Sequence, residues 1–324
     1  MTFGMSIIIP TKDRVEDLRR LVLSIQRQTC KDFQLIVVNN GEHNILEDLE
    51  DLIEGVDIKV IEDKTPNLPH LFNHGLADAN APIIGYLNDD TEVGESWVRV
   101  IKESFKSYPQ VVAVGGPAVS PKGGELYGFQ RRLQKNWFTR LLFHVVNVVL
   151  YEKKFFQIGY LSNWGTYSIG GSMRYSTQLS SPFEVDALSV TNMAIKKRIL
   201  KEFGGFDETF QYAHADGDLF VRLRSKNMGL LFNPELAVTH FASPTEGNQG
   251  TRSAFWLARD YAVFLRKLQP RSEKRIRLLL TLLAFVMFWA SNSMSSRKLQ
   301  PLRSALLGLT SGATIRISQN NGPL

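Results

Sequence analysis

In the stretch YLNDDTEV, residues 86–93, two adjacent carboxylates, Asp89 and Asp90, close an apolar run of Ile83, Ile84, Tyr86 and Leu87 that reads as a buried strand. Neighbouring carboxylates repel, and each raises the other's pKa unless positive charge lies nearby. A divalent cation would resolve that repulsion, drawing its remaining ligands from elsewhere in the chain.

The elements that must position such a pair follow one rhythm through the first half of the chain. Short β-branched runs at Ser6–Ile9, Leu35–Val38, Ile58–Ile61, Ile83–Leu87 and Val111–Val114 are expected as strands. Between the first two, Val15, Leu18, Leu21, Val22 and Ile25 recur at helical spacing. Ile45–Ile53, Leu68–Ala79 and Trp97–Tyr108 also read as helices. Alternating strands and helices imply right-handed crossovers and a mainly parallel sheet. Such sheets bind ligands in the crevice at the carboxyl ends of their strands. Thr11–Arg14, Asn39–Gly41, Asp63 and Asn88–Asp90 each follow a strand and are expected to share that edge.

From Ser120 to Pro182 the rhythm lapses into aromatic, basic and Gly/Ser-rich sequence, read as a partly mobile insertion over the crevice mouth. Phe183–Leu188 restores order. A helix is expected near Ala194–Phe203, then a Gly204–Gly205 turn, a helix from about Asp216 to Lys226, and a strand near Ala237–His240. The domain division is expected at 252/253, with 253–324 a basic helical appendage.

Composition narrows the class. With 324 residues, 44% hydrophobic and 22% charged, the chain is ordinary globular material. Its single cysteine, Cys30, excludes an internal disulfide and a cysteine-rich zinc site. The net charge of +6 is uneven. Residues 253–324 carry eleven Lys/Arg and two acids, a net +9, leaving 27 bases and 30 acids, a net −3, in residues 1–252. Basicity confined to the tail points to an anionic surface there and not to a nucleic-acid-binding body. MSIIIP is too short for a secretory signal and has no basic residues before it. The apolar block Leu278–Ala290, 13 residues, falls short of the roughly 18–20 that cross a bilayer. It reads as a buried core helix or an interfacial one. The expected location is cytoplasmic, with peripheral contact on the inner face of the plasma membrane through the basic tail.

With the strand edges placed, the sequence resembles the family 2 inverting glycosyltransferases of the GT-A, nucleotide-diphosphosugar fold. SIIIPTKDR, LIVVNNGE, NLPHLFNHGLADANAPIIGYLNDDTEV, VTNMAIKKRILKEFGGFDETF, HADGDLFVRL and AVTHF occur in the family's order across most of residues 5–240. The resemblance implies an α/β fold with a mainly parallel central sheet flanked by helices. Asn88-Asp89-Asp90 stands at the family's Asp-x-Asp triplet, whose carboxylates bind Mn²⁺ or Mg²⁺ on a diphosphate. Asp90 matches the direct ligand, Asp89 would contact the sugar or a metal-bound water, and Asn88 accepts a hydrogen bond from ribose without adding charge. His240, after LAVTHF, matches a second metal ligand, and imidazole suits Mn²⁺. His43, His70, His74, His144 and His214 show no spacing that demands a metal.

In the segment matching the family's Glu-Asp-x-Asp-Leu, Asp216 falls at the general base, with Ala215 in place of the usual Glu. Asp218 faces elsewhere on the helix and pairs as readily with Arg222 one turn on. Thr11 and Arg14 match positions lining the base and ribose pocket. Asn39 and Asn40 replace an acidic pair that reads the base. Asp63 is a base or ribose contact or a surface turn. Asn73 and Gly75 match the family, whereas Phe72 stands where Arg or Gly is common. Asn192 matches a polar position near the donor sugar.

The implied reaction moves a sugar from a nucleoside-diphosphate donor to a hydroxyl of a glycan or polyprenyl-linked acceptor, with inversion. QGTRS at 249–253 lacks the Trp of the processive Gln-x-x-Arg-Trp segment, which favours single addition. FWLARDYAVFLRK loosely resembles the stretch after the catalytic domain in rhamnosyltransferase-like members. A nucleotidyltransferase would show a glycine-rich phosphate loop where PTKDR stands. A non-catalytic sugar-nucleotide-binding protein is the other alternative, motivated by Asn88, Ala215 and the Asn39–Asn40 pair.

Overall fold

A computed structural model describes residues 3–52, 55–121, 137–162, 166–168, 178–241, 251–268, 275–296 and 299–316. Its centre is an eight-stranded sheet. Strands β1 (Met5–Thr11), β2 (Phe33–Asn39), β3 (Ile58–Glu62) and β4 (Ile83–Leu87) are mutually parallel, in the order β3-β2-β1-β4. Beyond β4 come β11 (Asn192–Lys196), β6 (Val111–Gly115), β12 (Gly229–Phe232) and the edge strand β10 (Phe183–Val185). β11 runs antiparallel to both β4 and β6, while β12 is parallel to β6.

Side chains alternate along each strand, and in β1 and β2 both faces are buried. Ile8, Ile36 and Val38 join one core cluster; Ile7, Ile9, Leu35 and Val37 join the other. Helices α1 (Val15–Gln26) and α4 (Trp97–Ser107) contribute to the second cluster, and α3 (Leu68–Asp78) to the first. A four-residue helix α2 (Ile45–Asp48) precedes β3. Phe72, Tyr86 and Phe206 pack their rings 5.0–5.3 Å apart beneath the strand ends.

A second sheet stands at the carboxyl edge. Strand β13 (Val238–His240) lies between β5 (Thr91–Val93) and β7 (Ala118–Val119), antiparallel to β5 with His240 opposite Thr91. This pairing sets His240 beside the acidic motif, although 150 residues separate it from Asp90.

Two expectations fail locally. Ala194 begins no helix: Asn192–Lys196 is a buried central strand, and the helix α6 starts only at Lys197 and ends at Glu202. Fully hidden between two strands, this segment lacks the polar alternation that marks a half-exposed strand. Strand β12 was also not foreseen. The insertion contributes helix α5 (Trp137–Val149) and the hairpin β8 (Tyr160–Leu161)–β9 (Tyr167–Ser168). The partial mobility expected for 120–182 falls largely on residues 122–136, 163–165 and 169–177, outside the described residues.

Helix α7 (Ala215–Ser225) follows the Gly204–Gly205 turn, both glycines having left-handed backbone. A side chain at Gly205 would meet Asn73 Oδ1 at 2.4 Å, so the position suits only glycine. In the tail, α8 (Thr251–Lys267), α9 (Arg275–Ser296) and α10 (Gln300–Thr314) are helical. Val263 and Phe264 of α8 belong to the same core cluster as Ile8 and Tyr86. Lys267, buried, pairs with Asp207 and Asp218 at 2.5 Å each. Gly308 and Gly312 of α10 face α8 so closely that an added Cβ would lie 2.2 Å from backbone oxygens of Phe255 and Arg259. Among the described residues no helix is long and apolar enough to cross a membrane.

Candidate active site

The two aspartates in the turn after β4 have different surroundings. Asp89 is fully buried: its Oδ2 accepts from Thr11 Oγ1 at 2.9 Å and Arg14 Nε at 3.0 Å, and its Oδ1 pairs with the same guanidinium. Burial lifts the Asp89 carboxyl to about 6, Arg14 and Thr11 oppose that rise, and Asp90 adds to it. Arg14 also reaches Asp90 Oδ2 at 3.3 Å. The positive charge that offsets the aspartate pair within the protein is therefore Arg14, three residues past the end of β1.

Asp90 turns its Oδ1 toward His240, whose Nε2 lies 3.3 Å away. The Phe241 N–H donates to the Asp90 carbonyl at 3.0 Å, continuing the β5–β13 ladder and holding the two residues together. A carboxylate and an imidazole nitrogen at this separation fit adjacent positions in the shell of Mn²⁺ or a similar ion, where ligand atoms stand roughly 3 Å apart.

Asp90, His240, Asn88, Asp89, Arg14 and Asp216 all line one cavity of about 510 Å³, at the carboxyl ends of β1 and β4. Asp216 enters it from the first turn of α7. Its Oδ1 accepts from Gly217 N at 2.8 Å and Tyr167 Oη at 3.3 Å. Burial raises its pKa from the ordinary carboxylate value, and these two hydrogen bonds oppose the rise. A helix N-terminus also favours the anion. Gly217 is required because a Cβ there would meet the Tyr167 ring at 2.5 Å.

The approach to Asp216 is held partly from outside the expected motifs. His214, immediately before α7, has a left-handed backbone, φ 65°, and a ring stacked on Phe264. Burial lowers its pKa to about 4, with Asp260 opposing, so the imidazole is neutral near pH 7. Asp260 of α8, itself fully buried, accepts three backbone N–H groups through Oδ2: Gln211 at 3.0 Å, Tyr212 at 2.7 Å and Ala213 at 2.9 Å. Tyr167 and Asp260 escaped sequence reasoning. Neither lies in a chemistry-bearing pattern, and the only signal for Asp260 was the loose likeness of FWLARDYAVFLRK.

The remaining expected residues stand apart from this cavity's lining. Asn39 donates its amide N–H groups to the His43 carbonyl and the Glu62 carboxylate, and its Oδ1 accepts from Gly41 N–H. Asn40 donates to the carbonyls of Asp63 and Thr65. Asn73 bridges the Phe206 N–H and carbonyl and donates to Glu208 Oε1. Asn192 is buried, accepting from Trp97 Nε1 at 2.9 Å and donating to carbonyls of Pro117 and Leu236. Asp218 pairs with Arg222 at 2.9 Å, as the helical spacing allowed.

Asp63 has partners that the sequence reading passed over. Its Oδ2 lies 3.0 Å from His70 Nε2 and 2.6 Å from His74 Nδ1, and its Oδ1 accepts from Thr65 N. His70 and His74, four apart on α3, share one helix face. The sequence reading set both aside as showing no spacing that demands a metal, and the i, i+4 spacing was the signal that could have paired them.

Comparison with known proteins gives this geometry a family. Residues 6–163 match the profile of Glycosyl transferase family 2. This segment, just under half of the chain, carries a Glycosyl transferase family 2 domain match, and Asp216 and His240 lie beyond it. The chain is 26% identical over 292 residues to O-antigen biosynthesis protein RfbC of Myxococcus xanthus, matching 86% of this chain and 20% of that protein. It is 29% identical over 256 residues to the uncharacterized protein y4gI of Sinorhizobium fredii, covering 76% and 25%. The chain thus spans a quarter or less of the length of these two relatives. Among solved structures, the mannosyltransferase PcManGT from Pyrobaculum calidifontis, in complex with GDP-Man and Mn²⁺, superposes with TM-score 0.56 at 14% identity, over 98% of this chain and 77% of that one. Residues 1–349 of S. aureus TarS in complex with UDP superpose with TM-score 0.52 at 14% identity, over 97% and 89%. The fold is that of the GT-A transferases.

Proposed function

We propose that this chain transfers a sugar from a nucleoside-diphosphate donor to an acceptor hydroxyl, with inversion, using Asp216 as general base. The observation that carries the reading is the convergence of Asp90, His240 and Asp216, distant in sequence, on a single cavity. Asp90 and His240 would hold a divalent cation, Mn²⁺ or Mg²⁺, which supplies positive charge to the departing diphosphate. Asp216 takes the proton of the attacking hydroxyl, and its burial raises its basicity. Arg14, at the cavity wall beside both aspartates, adds a fixed cation for the donor phosphates. Asn88 lies in the same lining and accepts a hydrogen bond from ribose or sugar. Thr11 acts through Asp89, while Asn39, Asn40, Asp63, Asn73 and Asn192 shape the strand ends around the donor. The likeness to RfbC, and the GDP-Man and UDP bound by the two structural neighbours, support a nucleotide-sugar donor and a surface-glycan acceptor.

The test is turnover with a panel of nucleotide sugars in Mn²⁺, using donors first selected by thermal stabilisation. Asp216→Asn is expected to lower transfer by at least ~100-fold with donor affinity retained, and the product anomer should be inverted relative to the donor by NMR. Near-normal turnover of Asp216→Asn, or retention of configuration, overturns the reading. Donor binding without release of nucleoside diphosphate would instead select the binding-protein alternative.

A lipid-linked acceptor accords with the exposed apolar residues of α5 and α9. Trp137, Leu141, Val145 and Val148 form one exposed stripe on α5, and Leu279, Leu280 and Leu283 are exposed on the neighbouring α9. Such a face suits peripheral contact with anionic lipid. Flotation with anionic vesicles should be lost in Trp137→Glu/Leu141→Glu; binding equal to the parent protein at low salt would remove membrane contact from the proposal.

A further inference from the structure

We propose that Asp63, His70 and His74 form a second metal site, selective for a transition ion of the Zn²⁺ class and separate from the pair Asp90–His240. Their ligand atoms, Asp63 Oδ2, His70 Nε2 and His74 Nδ1, all lie within 4.8 Å of one another. The Oδ2 atom sits 3.0 Å from the first nitrogen and 2.6 Å from the second. Tetrahedral zinc with bonds of about 2.0–2.1 Å holds its ligand atoms about 3.3 Å apart. Lengthening each of the two oxygen–nitrogen separations by less than about 1 Å would bring them to that spacing, with solvent at the fourth position. His70 and His74 are each about one-third exposed, leaving that position accessible.

The supporting groups are those a metal site requires. Glu208 accepts from the far ring nitrogen of His70, Nδ1, at 2.8 Å, fixing the tautomer that presents Nε2 inward. A carboxylate behind a ligating histidine is the common outer-shell device of zinc sites. Glu208 is oriented in turn by Asn73, and the Asp63 carboxylate by Thr65 N. The α3 N-terminus is stitched down by Asn67, whose side chain accepts from His70 N and donates to the carbonyls of Glu208 and Phe210. The helix face carrying both imidazoles is therefore held against the Glu208 loop independently of an ion.

Two imidazoles and one carboxylate favour Zn²⁺, Co²⁺, Ni²⁺ or Cu²⁺ over Mg²⁺. In the metal-free protein Asp63 Oδ2 sits within hydrogen-bond reach of His70 Nε2 and His74 Nδ1. With His70 Nδ1 donating to Glu208, a hydrogen bond from Nε2 to Asp63 requires the doubly protonated ring, and an ion taking that place releases the proton. Binding would clamp β3, α3 and the Glu208 loop together. Because Leu68, Pro69 and Phe72 of the same helix line the cavity, that clamp would stiffen one wall of the donor site.

The experiment uses the full chain, freed of metal by chelation and titrated with CoCl₂, then ZnCl₂. The parent protein should bind one Co²⁺ with visible d–d absorption outside the Asp90–His240 pair, so Asp90→Asn/His240→Gln retains the band. Zn²⁺ should displace it stoichiometrically. His74→Gln, which keeps a polar side chain on the exposed helix face, and His70→Ala should each weaken Co²⁺ binding by at least ~10-fold, and Glu208→Gln by ~10–100-fold. Circular dichroism confirms that each variant is folded, His74→Gln serving if His70→Ala is not. No band at 100-fold excess Co²⁺, a band unchanged in His74→Gln, or a band lost in Asp90→Asn/His240→Gln overturns the assignment.

Discussion

Asp260 lies 44 residues beyond the proposed base, yet one of its carboxylate oxygens holds the three residues that lead to it. Replacing it separates positioning from chemistry. In Asp260→Asn the amide oxygen can still face Gln211, Tyr212 and Ala213, but three charge-assisted hydrogen bonds become neutral ones. Hydrogen bonds to charged groups contribute about 1.5–3 kcal/mol and neutral ones about 0.5–1.5. The geometry is not additive, because one oxygen serves three donors, so the loss is about 1–3 kcal/mol. Asp260→Ala also leaves the buried Arg259 guanidinium without its partner at 2.5 Å, raising the cost to about 3–5 kcal/mol. A domain with 5–15 kcal/mol of stability remains folded after the milder change. Activity should nevertheless fall by about 100-fold, the effect of displacing a catalytic group by roughly 1 Å. Urea unfolding and transfer kinetics on the same preparations measure both quantities. Ile36→Val, in the core at β2, costs about 0.5–1.5 kcal/mol and should leave turnover unchanged, which controls for general destabilisation. Should Asp260→Asn retain parental turnover and urea midpoint, the loop does not depend on this carboxylate and the reasoning fails.

Other outcomes follow from the same contacts. Arg14→Ala leaves the buried Asp89 without its counter-charge and should cost about 3–5 kcal/mol in urea unfolding with chelator present; a loss below about 1 kcal/mol would show that Asp89 is satisfied by Thr11 alone. Asp216 has a raised pKa, so its share of stability is fully present below the ordinary carboxylate pKa and is lost as pH rises through the folded value. Asp216→Asn should therefore be more stable than the parent at pH 7 and equal to it near pH 3; equal stability at both would mean the carboxylate is not desolvated. Tyr167 donates to Asp216 and lowers its pKa, so Tyr167→Phe should move the acidic limb of kcat/KM to higher pH while the plateau falls less than ~10-fold. An unmoved limb would detach Tyr167 from the base.

How far the sequence disclosed this site depends on the kind of contact. The β-branched runs announced β1, β2, β4 and β6, because central strands buried on both faces need continuous apolar sequence. They also announced the edge strand β3, whose Ile58, Val60 and Ile61 are interrupted by exposed Lys59 and followed by exposed Glu62. Polar residues at their ends were correctly read as sharing one edge. Which way each then points depends on neighbours in other elements. Asn192 illustrates this: its position one strand from the acidic motif was legible, but its amide turns to Trp97 and two carbonyls on the interior side. Asn73 similarly faces the Phe206 turn. His70 and His74 were readable as a helical pair, whereas the carboxylate between them arrives from β3 and required the tertiary fold.

The adjacent aspartates show why a charged pair ends a buried strand here. Asp89 and Asp90 form the turn just beyond β4, and apart from Arg14, which both touch, their partners differ. Asp89 turns inward to Thr11 and Arg14, which compensate a carboxylate with no exposure to solvent. Asp90 turns to His240 and the cavity. Because Arg14 touches both, the cost of burying the first is linked to the charge presented by the second. A single substitution at Arg14 should therefore disturb folding and ligand binding together, whereas substitutions at His240 should leave the Asp89 network standing.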